Sequence, residues 1–453
     1  MFGALATCHA AEVSADESRI DPHEKIWTGA VTVKLGPSSI WLPSGFAQRS
    51  QTEVPFASFR RIVMHRDGTE LIILTPDRTY TLEARLVGGP EVLADIATAT
   101  QRRIVQHPQS SQWIAQLARF EALDRAALRR PARASRILVG LCVAVFAIQF
   151  MWGAALPSIA LWFGGDGGNA VGMLPLRWSK MLAMGANAPS LVAKGEYFRL
   201  ATANLLHADI VHAVVNLAGL RVLGPMVERL WGPWRFLIVF LSASIGGAAA
   251  STWWSMPLIS VGASTGLMGL LGAYFVLWLR HRHSMPPSFV ISSDRWITLA
   301  IINGILWWSV SSIDHWGHFG GALVGGLCAL VMRSPTDTLQ TSTPQRGAQI
   351  VGTALLAIFA LAVGQAAWTA SERPLSEPLS IMLSAEATRS PVNANNVAWA
   401  IATDPRAKPS LLRAAERAAR TAVTHSDDDN LRAHCLDTHA TVLYRLGRFR
   451  QAV

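Results

Sequence analysis

From about Ile26 to Glu83 the chain reads as strands: apolar and polar positions alternate in VTVKL, and RIVMHRDGTELIILTPDRTYTLEA has the look of hairpins. Period two puts successive side chains on opposite faces of a strand, and Asp67-Gly68 and Pro76-Asp77 supply hairpin turns. A helix over Pro90 to Gln106 and a more charged one over Ser111 to Arg130 follow. From Ile137 onward the pattern changes to long apolar runs separated by short basic clusters. These runs predict seven membrane spans, at Ile137 to Ala155, Ile210 to Leu223, Phe236 to Ser251, Val261 to Leu279, Trp296 to Val310, Trp316 to Met332 and Ile350 to Trp368. The second is short, so its start is expected to extend back through His207. The connection from Phe163 to Leu206 is rich in Gly and Pro yet carries apolar Trp, Leu and Met, as expected of a loop lying on the membrane.

Composition agrees with a membrane protein: of 453 residues, 51% are hydrophobic and 15% charged. Seventeen Trp against four Tyr, many at the ends of apolar runs, fit the aromatic enrichment of membrane interfaces. The net charge of +10 comes from basic residues beside apolar segments and forms no basic stripe with stacking aromatics, which argues against nucleic-acid binding. Arg125, Arg129, Arg130, Arg133 and Arg136 put the start of the first span in the cytoplasm. Arg221, Arg229 and Arg235 are expected between spans two and three, Arg280 and Arg282 between four and five, and Arg333 and Arg346 between six and seven. All three connections are then cytoplasmic, which leaves the C-terminus outside, in a multi-pass protein expected in the cell (inner) membrane. The opening MFGALATCHA lacks the basic start and apolar length of a signal peptide, in keeping with a cytoplasmic N-terminus. Cys8, Cys142, Cys328 and Cys435 are scattered, with neither a disulfide framework nor zinc-ligand spacing.

After Trp368 the chain turns polar and helical. NNVAWAIATDP with LLRAAERAARTAV, and then LDTHATVLYRLGRFRQAV, look related, and the second resembles a tetratricopeptide repeat. Ala440, Tyr444, Gly447 and Ala452 stand where that motif wants small, aromatic and turn residues, and Ala398 begins a looser copy. The sequence stops at Val453 inside an expected second helix, so the array is expected to be truncated; a generic helical tail is the plainer reading.

Polar residues inside spans are costly and often functional, which singles out His207, His212, Asn216 and His318. His212 and Asn216 share a helix face in HADIVHAVVNL, and alone they read as interhelical hydrogen bonders. The fourth span, however, begins SVGASTGLMGLLGAY, placing Ser264 at the start of a helix with Gly262, Gly266, Gly269 and Gly272 beside it. The sixth begins DHWGHFGGALVGG, with Gly317, Gly321 and Gly325 beside His318. Glycines at that spacing let two helices approach closely enough for Ser264 and His318 to hydrogen-bond. The inferred topology brings both, and His207, toward one membrane face. No HExxH motif is present, and His281, His283, His315 and His318 lack a carboxylate partner at metal-ligand spacing, so neither metal nor cofactor is expected.

GEYFRLATANLLHADIVHAVVNLAGL, GPMVERLWGPWRF, GAST and HWGHFGG together resemble the rhomboid intramembrane serine proteases, over about Gly195 to Arg333. The resemblance implies that Ser264 is the nucleophile and His318 its base, a dyad without a third member. It further implies that His212, Asn216 and the Ser264 backbone N–H stabilise the oxyanion, with His207, Arg199, Glu228 and Gly262 structural near the site. Thr265 departs from the glycine that follows the serine in the family, Gly317 from an alanine, and Met268 from an aromatic expected against the base. Asp314, four residues before His318, is a weak candidate for a third member.

The expected fold is membrane all-α: a rhomboid-like six-helix bundle plus a seventh transmembrane helix, with a small β-rich N-terminal domain and a helical-repeat C-terminal segment. The expected boundaries are 1–110 for the β-rich cytoplasmic domain, similar to a pleckstrin-homology barrel, and 111–136 for a basic helical linker. The six-span core then covers 137–335, a linker and the seventh span 336–369, and the tetratricopeptide-like segment 370–453. The expected partners are transmembrane protein substrates, the lipid bilayer and a protein bound by the repeats. The alternative is an inactive rhomboid-like protein that binds transmembrane helices without cutting them.

Overall fold

A computed structural model describes residues 25–44, 50–65, 67–154, 174–255, 257–309, 313–340, 345–405 and 407–452. The signal-peptide reading, Cys8, and residues 155–173, which include the start of the outer connection, lie outside them. The period-two stretch forms two antiparallel sheets. The first runs β1 (Lys25–Thr28), β2 (Thr32–Leu35), β3 (Ser39–Ser44) and β4 (Ser50–Pro55); the second β5 (Arg61–Met64), β6 (Glu70–Leu74) and β7 (Thr79–Glu83). Alternation decides which side chains are buried: Val33, Leu35, Ile40, Leu42, Leu71 and Ile73 enter one core with Trp27, Phe56 and Phe59. The β5–β6 turn uses Gly68 at φ +70°, a conformation open to glycine at little cost, and the Asp67 carboxylate accepts from the Thr69 N–H at 3.0 Å.

Helix α1 (Pro90–Gln106) closes this core with Leu93, Ile96 and Ile104. It follows Gly88 and Gly89, at φ +105° and +123°, and starts on Pro90, whose missing N–H costs nothing at a first helical position. Helix α2 (Ser110–Arg129) covers the stretch expected as a linker and is itself packed. Trp113 meets Phe56 edge-on at 5.7 Å, and the buried Asp124 accepts from Arg61 at 3.2 Å and from the Ser288 N–H and hydroxyl at 3.0 and 2.7 Å. Residues through Arg129 form one compact unit with Trp278–Ile302 and Pro335–Gln340. Within it, Arg282 bonds Asp77 at 2.8 Å and the Thr336 hydroxyl donates to the Ser284 carbonyl at 3.1 Å.

The apolar runs form helices α3 (Arg133–Met151), α5 (Ile210–Trp231), α6 (Pro233–Ala250), α7 (Ser264–His281), α8 (Ser293–Ser309), α9 (His315–Val331) and α10 (Arg346–Glu372). A further helix, α4 (Leu174–Ala183), lies in the connection between α3 and α5. Among the described residues, four segments are long and apolar enough to cross a membrane: Ser110–Met151, Ile210–Trp231, Pro233–Ser255 and Arg346–Glu372. Helices α7, α8 and α9 run 18, 17 and 17 residues and are not among the four. Ile137, Val214 and Leu361 are 71%, 59% and 73% exposed, an arrangement that suits apolar surroundings and not water.

The second span is corrected at both ends. It does not reach back to His207, because Asp209 adopts an extended conformation and its side chain accepts from the His212 N–H at 2.8 Å, capping the helix there. The length is recovered at the other end, where the helix continues to Trp231. Arg221 and Arg229 therefore lie on α5 itself, and the turn into α6 is made by Gly232 at φ +85°. Helix α6 is central in the second unit. It packs against α3, α5, α9 and α10 and buries Phe236, Val239, Phe240, Ala243, Ser244 and Gly247.

The C-terminal residues form helices α11 (Ser376–Arg389), α12 (Pro391–Thr403), α13 (Pro409–His425) and α14 (Asp429–Arg445), and Gly447, at φ +75°, turns the chain into a last short helix, Phe449–Ala452. Their apolar faces do not close on themselves alone. Leu379, Met382 and Leu383 share a core with Leu182, Leu191 and Leu206 of the connection between α3 and α5.

Candidate active site

Ser264 begins α7 and His318 lies in the first turn of α9, 54 positions apart, and the Ser264 hydroxyl stands 2.8 Å from His318 Nε2. Glycines make that approach. A Cβ on Gly321 would strike the Thr265 carbonyl, and one on Gly325 the Gly269 carbonyl, so α7 and α9 touch backbone to backbone. On its other side, α9 presents Gly320 to Ala250 of α6. Gly317, assigned to the same glycine face, differs: a Cβ there would meet the Asp314 carboxylate at 2.8 Å, and its carbonyl lies where a Cβ on Gly247 of α6 would stand.

The segment leading into Ser264 is stitched to its surroundings. Asn187 and Ser260 exchange backbone hydrogen bonds at 3.1 and 2.8 Å, and the Gly262 N–H donates to the Ala203 carbonyl at 3.0 Å. The Ser260 hydroxyl donates to Asp314 Oδ2 at 2.9 Å, and Asp314 Oδ1 accepts from the Gly317 N–H at 3.0 Å. Asp314 thus caps α9 and ties it to the approach of Ser264, and neither bond goes to the His318 ring. Met268 is half-buried one turn beyond Ser264.

Gly262 has φ +129°, and a Cβ there would sit 2.7 Å from His212 Nε2 and 3.4 Å from Asn216 Nδ2. Glycine is therefore required twice, for the backbone angle and for the space two side chains of α5 occupy. The Asn216 side-chain nitrogen is buried and has no hydrogen-bond partner among the described residues, so it is an unspent donor beside Gly262, two residues before Ser264. His207 is fully buried, its ring edge-on to His212 at 5.4 Å and to Phe146 at 6.2 Å.

The remaining predicted residues hold the frame. Arg199 is 1% exposed; its Nε and Nη2 donate to Glu196 Oε2 at 2.8 and 2.7 Å, and Nη1 to the Leu182 and Ala186 carbonyls at 2.6 and 2.9 Å. Arg373, just past α10, donates to the other Glu196 oxygen at 2.7 Å. The Glu228 carboxylate accepts from the Ala134 and Ser135 N–H groups at 2.9 and 2.8 Å, capping the first span with a negative charge at the positive end of its dipole.

A match to the Rhomboid domain covers residues 194–335, the stretch that carries these groups. The putative rhomboid protease YdcA of Bacillus subtilis is 31% identical over 140 residues, 30% of this chain and 70% of that protein. The chain belongs to the rhomboid family. Rhomboid protease GluP of the same organism is 40% identical over 149 residues, 33% of this chain and 28% of the relative. Rhomboid protease AarA of Providencia stuartii is 27% identical over 182 residues, 35% of this chain and 63% of the relative. The matched segment thus spans less than two thirds of GluP and of AarA, and the flanking parts of this rhomboid are outside the likeness.

Sequence reasoning passed over several residues that build the rhomboid site. Gln149, fully buried in α3, accepts from the His207 N–H at 3.0 Å and donates to the His207 carbonyl at 3.2 Å. A lone amide in the run VFAIQFM was the available signal. Glu196, Asn204 and Ser260 had no signal, being common loop residues whose partners are distant in sequence.

Proposed function

We propose that this protein is an intramembrane serine endopeptidase that cleaves transmembrane segments of other membrane proteins through a Ser264–His318 dyad. The 2.8 Å contact between the Ser264 hydroxyl and His318 Nε2 carries the reading. With Nε2 facing the hydroxyl, the neutral imidazole holds its own proton on Nδ1 and is free to take the serine proton as Oγ attacks the scissile carbonyl. The proton then passes to the leaving amine, and His318 activates the water that releases the acyl group from Ser264. The Ser264 N–H, free at the start of α7, the Asn216 amide and His212 are the donors for the oxyanion, each worth about 3 kcal/mol.

A seven-span topology with a cytoplasmic N-terminus completes the proposal. It is supported by the packing of the residues after α7 and of Pro335–Gln340 with the N-terminal domain, since both connections are expected on its side. Packing of the C-terminal helices against the outer loop likewise supports a C-terminus on the far side. The C-terminal helices, read as tetratricopeptide-like, then bind a protein partner.

The test is cleavage of a single-pass transmembrane protein by the full-length enzyme in lipid vesicles, with labelling of Ser264 by a fluorophosphonate. Wild type should cleave and label, and Ser264→Ala and His318→Ala should do neither. Mutants as active as wild type would remove the dyad. A wild type that binds the substrate helix without cutting it or labelling would make the protein a non-proteolytic binder.

A further inference from the structure

Thr265 stands beside the proposed nucleophile, where the family resemblance calls for glycine, and its side chain is fully engaged. It is 6% exposed, and its hydroxyl donates to Oδ1 of Asn204, itself 2% exposed. The orientation of that amide is set by its other end, because Asn204 Nδ2 donates to the Leu200 and Ala201 carbonyls at 2.8 and 3.3 Å. The neighbouring Ala203 carbonyl accepts from the Gly262 N–H. Two consecutive loop residues therefore grip the chain on both sides of Ser264, one at Gly262 and one at Thr265. The helical turn that precedes them, Arg199–Thr202, is anchored in turn by the buried Arg199–Glu196 pair.

The rest of Thr265 is equally constrained. A Cβ on Gly247 of α6 would lie 2.6 Å from Thr265 Cβ, and a Cβ on Gly321 of α9 would strike the Thr265 carbonyl. The residue meets α6, α9 and the loop at once, and Ser264 is its neighbour in the chain. A glycine at this point would offer no side chain to bond and a wider range of backbone angles.

We infer that Thr265, through its hydrogen bond to Asn204, is a positioning residue that fixes the Ser264 backbone and so the approach of its hydroxyl to His318 and to substrate. The inference rests on the proposed dyad. Because the attacking geometry must be held closely, losing the bond slows the chemical step without weakening substrate binding.

The experiment uses full-length protein in vesicles, measuring kcat and KM on a transmembrane substrate, the rate of fluorophosphonate labelling, and Tm. Thr265→Val, which keeps the shape and removes the hydroxyl, should lower kcat and the labelling rate about tenfold, the equivalent of one hydrogen bond, with KM unchanged. Thr265→Ser should restore both. Asn204→Leu should match Thr265→Val, and the double variant should be no worse than either. A wild-type kcat per labelled serine in Thr265→Val overturns the positioning role, whether or not Tm or the labelled fraction falls. Ser264→Ala separates the two readings. If it is inactive while Thr265→Val runs at full rate, only the positioning inference fails; if it still cleaves, the dyad fails and takes the inference with it.

Discussion

Gln149 and Arg199 show how single buried polar side chains hold the site without touching it. The Gln149 amide satisfies both backbone groups of His207, so Gln149→Leu leaves a buried N–H and a buried carbonyl unpaired, at about 1–3 kcal/mol each. The variant should lower Tm in detergent by several degrees and slow Ser264 labelling. Arg199 combines a two-pronged bond to Glu196 with bonds to two carbonyls, which the single ammonium of a lysine cannot reproduce. Arg199→Lys should therefore destabilise nearly as much as Arg199→Ala, about 3–5 kcal/mol for a broken buried pair, measured by unfolding in detergent. Arginine in an outer loop was legible in the sequence as a family feature. Its partners were not, since Leu182 and Ala186 contribute only their carbonyls.

Between helices, glycines decide the distances. Gly325→Ala puts a methyl against the Gly269 carbonyl and should force α7 from α9, at about 1–3 kcal/mol, with loss of labelling. Gly364→Ala on α10, where nothing lies within 4 Å, should be neutral or slightly stabilising and serves as the control. Outside the membrane, the Lys25 ammonium and then the Trp27 indole N–H bond Asp95 and hold its carboxyl below the usual range. Because the folded pKa is depressed, that contribution is present above the unfolded value near about 4 and is lost as pH falls through the folded one. Acid unfolding of the β domain should move to higher pH in Asp95→Asn, by a small amount given the exposure of the pair. Helix interiors were legible from hydropathy alone. Their ends were not: the Asp209 cap holds the second span to its start at Ile210 and stops it reaching back through His207, while the helix runs past Leu223 to Trp231.

For the whole molecule, the connection between α3 and α5 and the C-terminal helices share one core. Removing residues after Glu372 uncovers Leu182, Leu191 and Leu206 and breaks the Arg373–Glu196 bond, so hydrogen exchange across the loop from Leu182 to Leu206 should rise sharply. Arg373→Ala alone should cost about 1 kcal/mol, since the Arg373 side chain is 39% exposed and Arg199 still pairs Glu196. Unchanged exchange in the truncated protein would separate the C-terminal helices from the stability of the site. The sequence marked these helices as a segment apart, because their composition turns polar after Trp368, and gave no sign of the face they cover.

Periodicity and hydropathy by themselves determined the strand-rich start, the apolar helices and the helical end, because each is local: period two or a long apolar run leaves few conformations that bury the right atoms. Glycine spacing and the order His, Asn, Ser, His also identified the residues that meet. Only the tertiary structure decided how they are held. The bonds from Asp314 to Ser260, from Gln149 to His207 and from Thr265 to Asn204 join residues far apart in the chain, and a hydroxyl, an amide or a carbonyl carries no mark of its partner until packing brings the two together.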